Sequence, residues 1–257
     1  MVRPDPQALW EKGDSSIMWG TADATFVRKG EKGMWHFAKS DMAHEWPIQY
    51  GGLTFLIRPT AFKHVGLFPE QRANWEWMMP LLEGKKASVL NLFAYTGGAT
   101  LAAAKAGASV THVDASKTAV EWARENTRLS GLDGAPVRWI IDDVMKYVER
   151  EIKRGTKYDA VILDPPAFGH GPKDELWKIE RDLVPLMKKC RVLLSDSPLF
   201  VLMNGYAAGY SHLAFEHLLE PLVRERGGTV EGGELTLTET NAFKRSLPCG
   251  IYARWSA

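Results

Sequence analysis

The stretch Val161-Ile162-Leu163-Asp164-Pro165-Pro166-Ala167-Phe168 sets a carboxylate, two prolines and an aromatic ring directly behind an apolar run. Consecutive prolines hold the backbone extended and donate no N–H, so their carbonyls are left facing whatever lies alongside. Asp164 and the Pro165 carbonyl then form a ledge of acceptors without a competing donor. Such a ledge can hold a planar nucleobase by its N–H groups while the lone pair of a reacting nitrogen stays free. Phe168 is positioned to stack on that base, a contact of roughly 1–3 kcal/mol where it forms. The competing reading is a plain turn. Gly169 and Gly171, on either side of His170, suggest a mobile lid.

A second group of residues could hold a nucleoside. Val89-Leu90-Asn91-Leu92-Phe93 reads as a strand and breaks into Ala94-Tyr95-Thr96-Gly97-Gly98 before an alanine-rich helix. Glycines there let a ligand approach the backbone, Thr96 is a plausible N-cap, and the free N–H groups of a first helical turn suit an anion. Asp114, 17 residues after Gly97, ends the next strand and is followed by Ala115-Ser116 at a helix start. A carboxylate at about that spacing accepts hydrogen bonds from ribose hydroxyls. Capping is its competing role, but Ser116 can cap and leave Asp114 free. Asp142-Asp143-Val144 closes a third strand. There, one carboxylate can take an adenine amino group with Val144 against the ring, while the other caps a helix. The turn lacks the G-x-G-x-x-G of a dinucleotide site and the chain lacks a G-x-x-x-x-G-K-[ST] loop. A looser turn fits S-adenosylmethionine, with the Asn91 amide towards the amino-acid end.

These residues need a scaffold that brings strand ends together. Strands are expected at Ser88–Phe93, Ser109–Asp114, Val137–Ile141, Ala160–Asp164 and Leu199–Met203, alternating with helices near Gly98–Lys105, Lys117–Leu129, Val144–Arg154, Asp174–Leu194 and Ser211–Arg226. That alternation predicts βαβ units and an α/β fold with a mostly parallel sheet. Glu234–Glu239 and Pro248–Trp255 have no helix between them and read as an antiparallel C-terminal hairpin. Residues 1–66 differ in texture. Thr25–Arg28, Met34–Phe37 and Leu53–Ile57, separated by glycine-bearing turns such as Lys29–Gly33, predict a small antiparallel β region before a main domain at 67–257.

Composition narrows the function classes. Of 257 residues, 45% are hydrophobic, enough for a sizeable core. Lys and Arg number 32 against 31 acidic residues, so a global basic field is excluded as the sign of a nucleic-acid partner. Cys190 and Cys249 lie far apart in unlike contexts, which excludes a disulfide framework, and the histidines show no metal-ligand spacing. No apolar run approaches the ~20 residues of a membrane helix. The expectation is a cytoplasmic protein without metal or membrane partner.

Taken together, Asn91–Gly98, Asp114, Asp142-Asp143 and Asp164–Phe168 resemble the class I S-adenosylmethionine-dependent methyltransferases. More narrowly they resemble the group related to bacterial large-subunit ribosomal RNA methyltransferases. An F-x-Y-T-G-G turn is matched by Phe93, Tyr95, Thr96, Gly97 and Gly98, and D-P-P-x-F by Asp164 to Phe168. A G-x-F-x-x-Q-R segment is matched by Gly66, Phe68, Gln71 and Arg72. The resemblance covers about residues 67 to 205. It implies a Rossmann-like doubly wound sheet, with Gln71 and Asn91 near the methionine end of S-adenosylmethionine, Asp114 near its ribose and Asp143 with Val144 near its adenine. It also implies RNA, ribosomal above all, as substrate.

Two departures bear on the reaction. Pyrimidine C5 methylation needs a cysteine nucleophile. The place after the fifth strand where the cytosine-modifying relatives carry one reads Val201–Tyr206 here, without cysteine. Cys190 falls on an amphipathic helix and reads as core, Cys249 on the terminal hairpin. No RNA-binding domain of recognisable type precedes the core, so residues 1–66 or another partner must serve. A nitrogen acceptor is therefore expected, with Asp164, Pro165 and Phe168 as the reacting-site residues. A methyltransferase for a small molecule or protein, and a non-catalytic nucleotide-binding module, are the alternatives. Basic pairs such as Lys188-Lys189 read as solvated surface, whereas Lys63-His64 and Lys244-Arg245 flank the expected site.

Overall fold

Runs that are apolar at every position have no polar face to offer water, and in the computed structural model of this chain they occupy the middle of one sheet. The structure describes residues 1–11, 19–29, 32–41, 44–61, 63–206, 209–241 and 243–257. The glycine turn expected within Lys29–Gly33 falls partly outside them. The first elements are β1 (Ala24–Lys29), β2 (Lys32–Phe37), β3 (Trp46–Tyr50), β4 (Leu53–Ile57), a 3-10 turn at Pro69–Gln71 and α1 (Arg72–Leu82). Then come β5 (Ser88–Leu92), α2 (Gly98–Lys105), β6 (Ser109–Asp114), α3 (Lys117–Leu129), β7 (Val137–Ile141), α4 (Val144–Arg154) and β8 (Ala160–Leu163). The chain continues through β9 (Phe168–His170), β10 (Leu176–Lys178), α5 (Ile179–Leu193), β11 (Phe200–Gly205), α6 (His212–Arg226), β12 (Thr229–Thr238) and β13 (Ser246–Ser256).

The seven-stranded sheet has the order β12-β13-β11-β8-β5-β6-β7. Strands β7, β6, β5, β8 and β11 are parallel, and β13 runs antiparallel to both β11 and β12. The fold is thus the expected Rossmann-like α/β sheet with an antiparallel C-terminal hairpin, preceded by the hairpins β1–β2 and β3–β4. The chain leaves β5 towards β7 and returns to β8 on the other side of β5. At such a reversal the two neighbouring connections diverge and a crevice opens between the carboxyl ends of β5 and β8.

Strand alternation divides the core into two layers. Leu90, Leu92, Leu163, Val201 and Met203 face α4, α5 and α6; Val89, Ile162 and Leu202 face α2, α1 and β4. Cys190 is 1% exposed inside the first layer and its thiol is pushed up to about 12 by burial, which makes it core rather than nucleophile.

Strand β4 is fastened to α3 by side chains that stand in for a neighbouring strand. Asn126 Oδ1 accepts the Leu56 N–H at 2.8 Å, its Nδ2 donates to the Thr96 carbonyl at 2.9 Å, and Trp122 Nε1 donates to the Leu56 carbonyl at 2.9 Å. Asn126 thereby ties the second hairpin to the turn after β5. Asn126→Ala leaves two buried backbone groups without partners and should cost roughly 2–4 kcal/mol. Equilibrium denaturation measures this, and an unchanged midpoint would contradict it.

Several boundaries differ from expectation, each for a local reason. Residues 174–178 are not helical: Asp174 has φ 64°, Gly171 N–H donates to the Glu175 carbonyl, and Leu176–Lys178 pairs with Phe168–His170 as a small hairpin. The helix starts at Ile179. Phe93 and Asp164 lie just past their strands. Helix α1 falls in a stretch the apolar pattern assigns to no element; it carries Pro80 in its last turn and buries Asn74, Trp75, Met78 and Leu82. Strand β3 was likewise unforeseen. Strands β12 and β13 are longer than expected, with a register shift at Leu235/Thr236. Gly232 and Gly233 lie inside β12; a Cβ at Gly232 would stand 2.3 Å from the Glu216 carboxylate on α6.

Candidate active site

The turn between β5 and α2 is held in an unusual shape by its neighbours. Phe93 (φ 55°) and Tyr95 (φ 48°) both occupy the left-handed region, a cost of order 1–3 kcal/mol each for residues with a Cβ. Gly97, also left-handed, opens α2 as its N-cap. Thr96 therefore does not cap the helix as expected; its hydroxyl donates to the Gly66 carbonyl at 2.7 Å and fastens the Gly66–Gln71 segment over the turn. At Gly98 a Cβ would fall 2.6 Å from the Trp75 ring. The N–H groups of the first turn of α2 have no intrahelical acceptor and border the crevice.

Asp114 organises the next strand end. One carboxylate oxygen accepts the Tyr95 N–H and the other the Ser116 N–H, both at 2.8 Å. Burial raises its pKa, and these two bonds oppose the rise. Ser116 Oγ caps α3 by accepting the Ala119 N–H at 3.2 Å, as expected, and Ala115 links the two. Strand β7 joins at the same edge, with Asp142 N–H donating to the Asp114 carbonyl at 3.1 Å. Asp143 is the cap of α4, accepting the Lys146 N–H at 2.9 Å, while Asp142 pairs with Arg150. Val144 is 3% exposed in the core and offers a ligand little surface.

Between the ends of β5 and β8 lies a cavity lined by Phe68, Gln71, Asn91, Tyr95, Gly98 and Asp164, with Asn204 at the end of β11. The Asn91 amide donates to Thr100 Oγ1 at 2.9 Å, and Thr100 in turn meets His112 Nδ1 at 2.9 Å. His112 is fully buried and lowered to about 3, so it stays neutral, with Nε2 unpartnered and its ring 4.8 Å from that of Trp139. Gln71 Nε2 donates to the Tyr206 hydroxyl at 2.8 Å. Asn74 Nδ2 is shared between Gln71 Oε1 and Asn204 Oδ1.

The carboxyl of Asp164 is pushed up to about 7, chiefly by burial and then by Glu70 and Asp114. The Pro166 carbonyl is taken by Trp177 Nε1 at 2.8 Å, so only the Pro165 carbonyl remains without a hydrogen bond among the described residues. Phe168, on β9, is 54% exposed with its ring 5.2 Å from His170.

A pH effect follows. The folded carboxyl of Asp164 titrates near 7 and the unfolded one near 3.8, so the folded state holds a proton that the unfolded state has released between those values. Its contribution to stability is therefore complete below about 4 and is lost as pH rises through 7. In denaturant titrations the stability of wild type relative to Asp164→Asn should fall between pH 4.5 and 7.5. A constant difference would contradict it.

Glu70, Asn74, Asn204, Tyr206 and Arg254 were not foreseen as part of this region. Asn204 lies near the end of the fifth parallel strand and Tyr206 directly follows it, and the strand-end rule that picks out Asp114 and Asp164 would have found them. Burial of Glu70 raises its pKa, and Arg254 pairs with Glu231 at 2.9 Å. Of the basic pairs near the site, Arg245 is held by Glu239 and lies over the Trp10 ring at 5.3 Å. No cluster of metal-ligating residues occurs among the described residues, and none of their helices is long and apolar enough to cross a membrane.

Known proteins resemble the chain closely. The model of a family described as S-adenosylmethionine-dependent methyltransferase matches residues 28–225. A crystal structure of an S-adenosylmethionine-dependent methyltransferase from Agrobacterium tumefaciens superposes with a TM-score of 0.94 and 42% identity, over 99% of this chain and 83% of that one. Ribosomal RNA large subunit methyltransferase K/L of Syntrophotalea carbinolica is 37% identical over 183 residues, and that of Hahella chejuensis 33% over 182. Each alignment takes in 70% of this chain, but the chain spans only about a quarter of the length of these curated relatives (25% and 24%).

Proposed function

Since the chain belongs to the S-adenosylmethionine-dependent methyltransferase family, we propose that it methylates a nitrogen of a base in RNA, with ribosomal RNA as the first substrate to test. The observation that carries this reading is the position of Asp164 and the free Pro165 carbonyl. Asp164 directly follows β8 and lines the cavity with Gln71, Asn91 and Gly98, and Pro165 is the next residue along the chain. Ribosomal RNA comes from the names of the two curated relatives.

The residues present suit the methyl donor. Asp114 would take the ribose hydroxyls with the lone pairs its two backbone bonds leave over. Asp143 would accept from the adenine amino group with the oxygen not used in capping, beside Asp142, Ala115 and Ser116. The first N–H groups of α2, with Gln71, would face the carboxylate of the amino-acid end, and Asn91, Phe93, Tyr95 and Gly97 would wall it. S-adenosylmethionine supplies a methyl group already activated on a sulfonium, so the protein is left with alignment and the exclusion of water. Asp164 holds the acceptor N–H through its carboxylate and can receive the proton that the nitrogen sheds. Phe168 offers a ring to the base. Cys249 is poorly suited to attack a pyrimidine, because burial pushes its thiol up to about 11.

The test is the product. RNA from cells with and without the gene is digested and its nucleosides are compared by mass spectrometry, and the purified protein is then incubated with labelled S-adenosylmethionine and RNA from the deficient cells. A base methylated at nitrogen is expected. Label only in protein or in small molecules would overturn the RNA assignment, and a C5-methylated pyrimidine would overturn the nitrogen assignment.

A further inference from the structure

A groove of about 760 Å³ lies between the N-terminal segment and the C-terminal hairpin, beyond the cavity of the candidate active site. Its walls include Phe26, Arg28, Lys63, His64, Tyr206 and Tyr210. We propose that this groove seats the acceptor nucleotide of a single-stranded RNA, with the base passing Tyr206 towards Asp164 and with Arg28 and Lys63 holding phosphates. The inference rests on the RNA-base reading above and names the surface that performs it.

Continuity is the first support. Tyr206 belongs to the groove, yet its hydroxyl accepts from Gln71, which belongs to the cavity. Phe68 of the cavity packs its ring 5.2 Å from Tyr206 and 5.4 Å from His64, both of the groove. A single layer of aromatic rings therefore separates the two spaces, and burial, followed by the charge of Asp164, raises the pKa of the Tyr206 hydroxyl.

Size and lining agree. The volume falls within the range of roughly 300–1,000 Å³ typical of small-ligand sites, large enough for a nucleotide. Aromatic rings accept any base face, and RNA bases are read mostly when unpaired and splayed out. Arg28 is exposed and makes no ion pair among the described residues, so its guanidinium is available to a phosphate. Lys63, with a side chain 24% exposed, has its ammonium 3.2 Å from Asp5. Asp5 and Glu234 also line the groove, so cations stand at discrete points instead of forming a continuous basic track. One extruded nucleotide fits that arrangement better than a duplex lying along it. The near-neutral net charge of the chain is then no obstacle, since the positive charge is needed only locally.

The experiment uses the full chain, an unmodified large-subunit ribosomal RNA transcript and labelled S-adenosylmethionine. The double variant Arg28→Glu/Lys63→Glu should raise KM for the RNA at least tenfold and leave donor affinity unchanged. It should also flatten the salt dependence of RNA binding by about 0.7 per lost phosphate contact. Lys188→Glu, exposed on α5, should change none of these. If wild type methylates the transcript and the double variant matches it in KM and salt slope, the groove assignment is overturned while the RNA reading stands. If wild type places label in protein and none in RNA, both are overturned. Should the double variant lose donor binding, His64→Ala takes its place: a several-fold rise in KM at constant kcat supports the proposal, and an unchanged KM overturns it.

Discussion

Asp164→Ala should lower turnover by about a thousandfold or more while donor affinity stays within a few-fold of wild type. Under the proposed function the substitution removes the acceptor that would orient the reacting nitrogen, and losing one preorganised group at a reacting centre costs roughly 10²–10³ in kcat. Misalignment of donor and acceptor adds to that loss. The fold should tolerate the change, because the carboxyl sits in surroundings that already push it up to about 7, so its removal relieves burial of a charge. Single-turnover methyl transfer gives the rate and calorimetry gives donor affinity. A variant that turns over normally would remove Asp164 from the reaction.

Asp114→Ala should weaken donor binding by more than tenfold and reach about a hundredfold. Hydrogen bonds to a charged group contribute about 1.5–3 kcal/mol each, and two hydroxyls are expected to share this carboxylate. The same carboxylate accepts the N–H groups of Tyr95 and Ser116, so some of the loss would come from the turn after β5 relaxing. Asp114→Asn separates the two: it keeps an oxygen for one backbone N–H but weakens both charged bonds to the ligand. Calorimetric titration with S-adenosylmethionine measures both variants, and unchanged affinity in Asp114→Ala would remove the ribose assignment.

Much of the candidate site could be read from the chain because its residues sit where parallel strands end. Asn91–Gly98, Asp114, Asp142-Asp143 and Asp164 each follow a short apolar run, and the sheet order brings those ends to one edge. What escaped lacks a local signature. Helix α1 carries Pro80 and mixes tryptophans with charges, and its burial depends on β4, which lies far away in sequence. The helix expected near Asp174–Leu194 starts only at Ile179, because the left-handed backbone at Asp174 and the pairing of Leu176–Lys178 with β9 hold residues 174–178 in a hairpin. The Asn74–Asn204–Arg254 network joins three remote segments, with separations of 130 and 180 residues, and no spacing rule reaches that far. The groove draws on residues 4–7, 26–28 and 248–251, so it exists only once both ends of the fold are assembled.

Strand β13 sits between β11 and β12, and Trp255 within it is fully buried. While the ribosome is still making residues 246–256, Phe200–Gly205, buried at all six positions in the finished sheet, has no partner on that side. Between the synthesis of Gly205 and that of Ser246 the emerging polypeptide therefore carries a bare apolar strand edge, a surface open to aggregation or to capture by a chaperone.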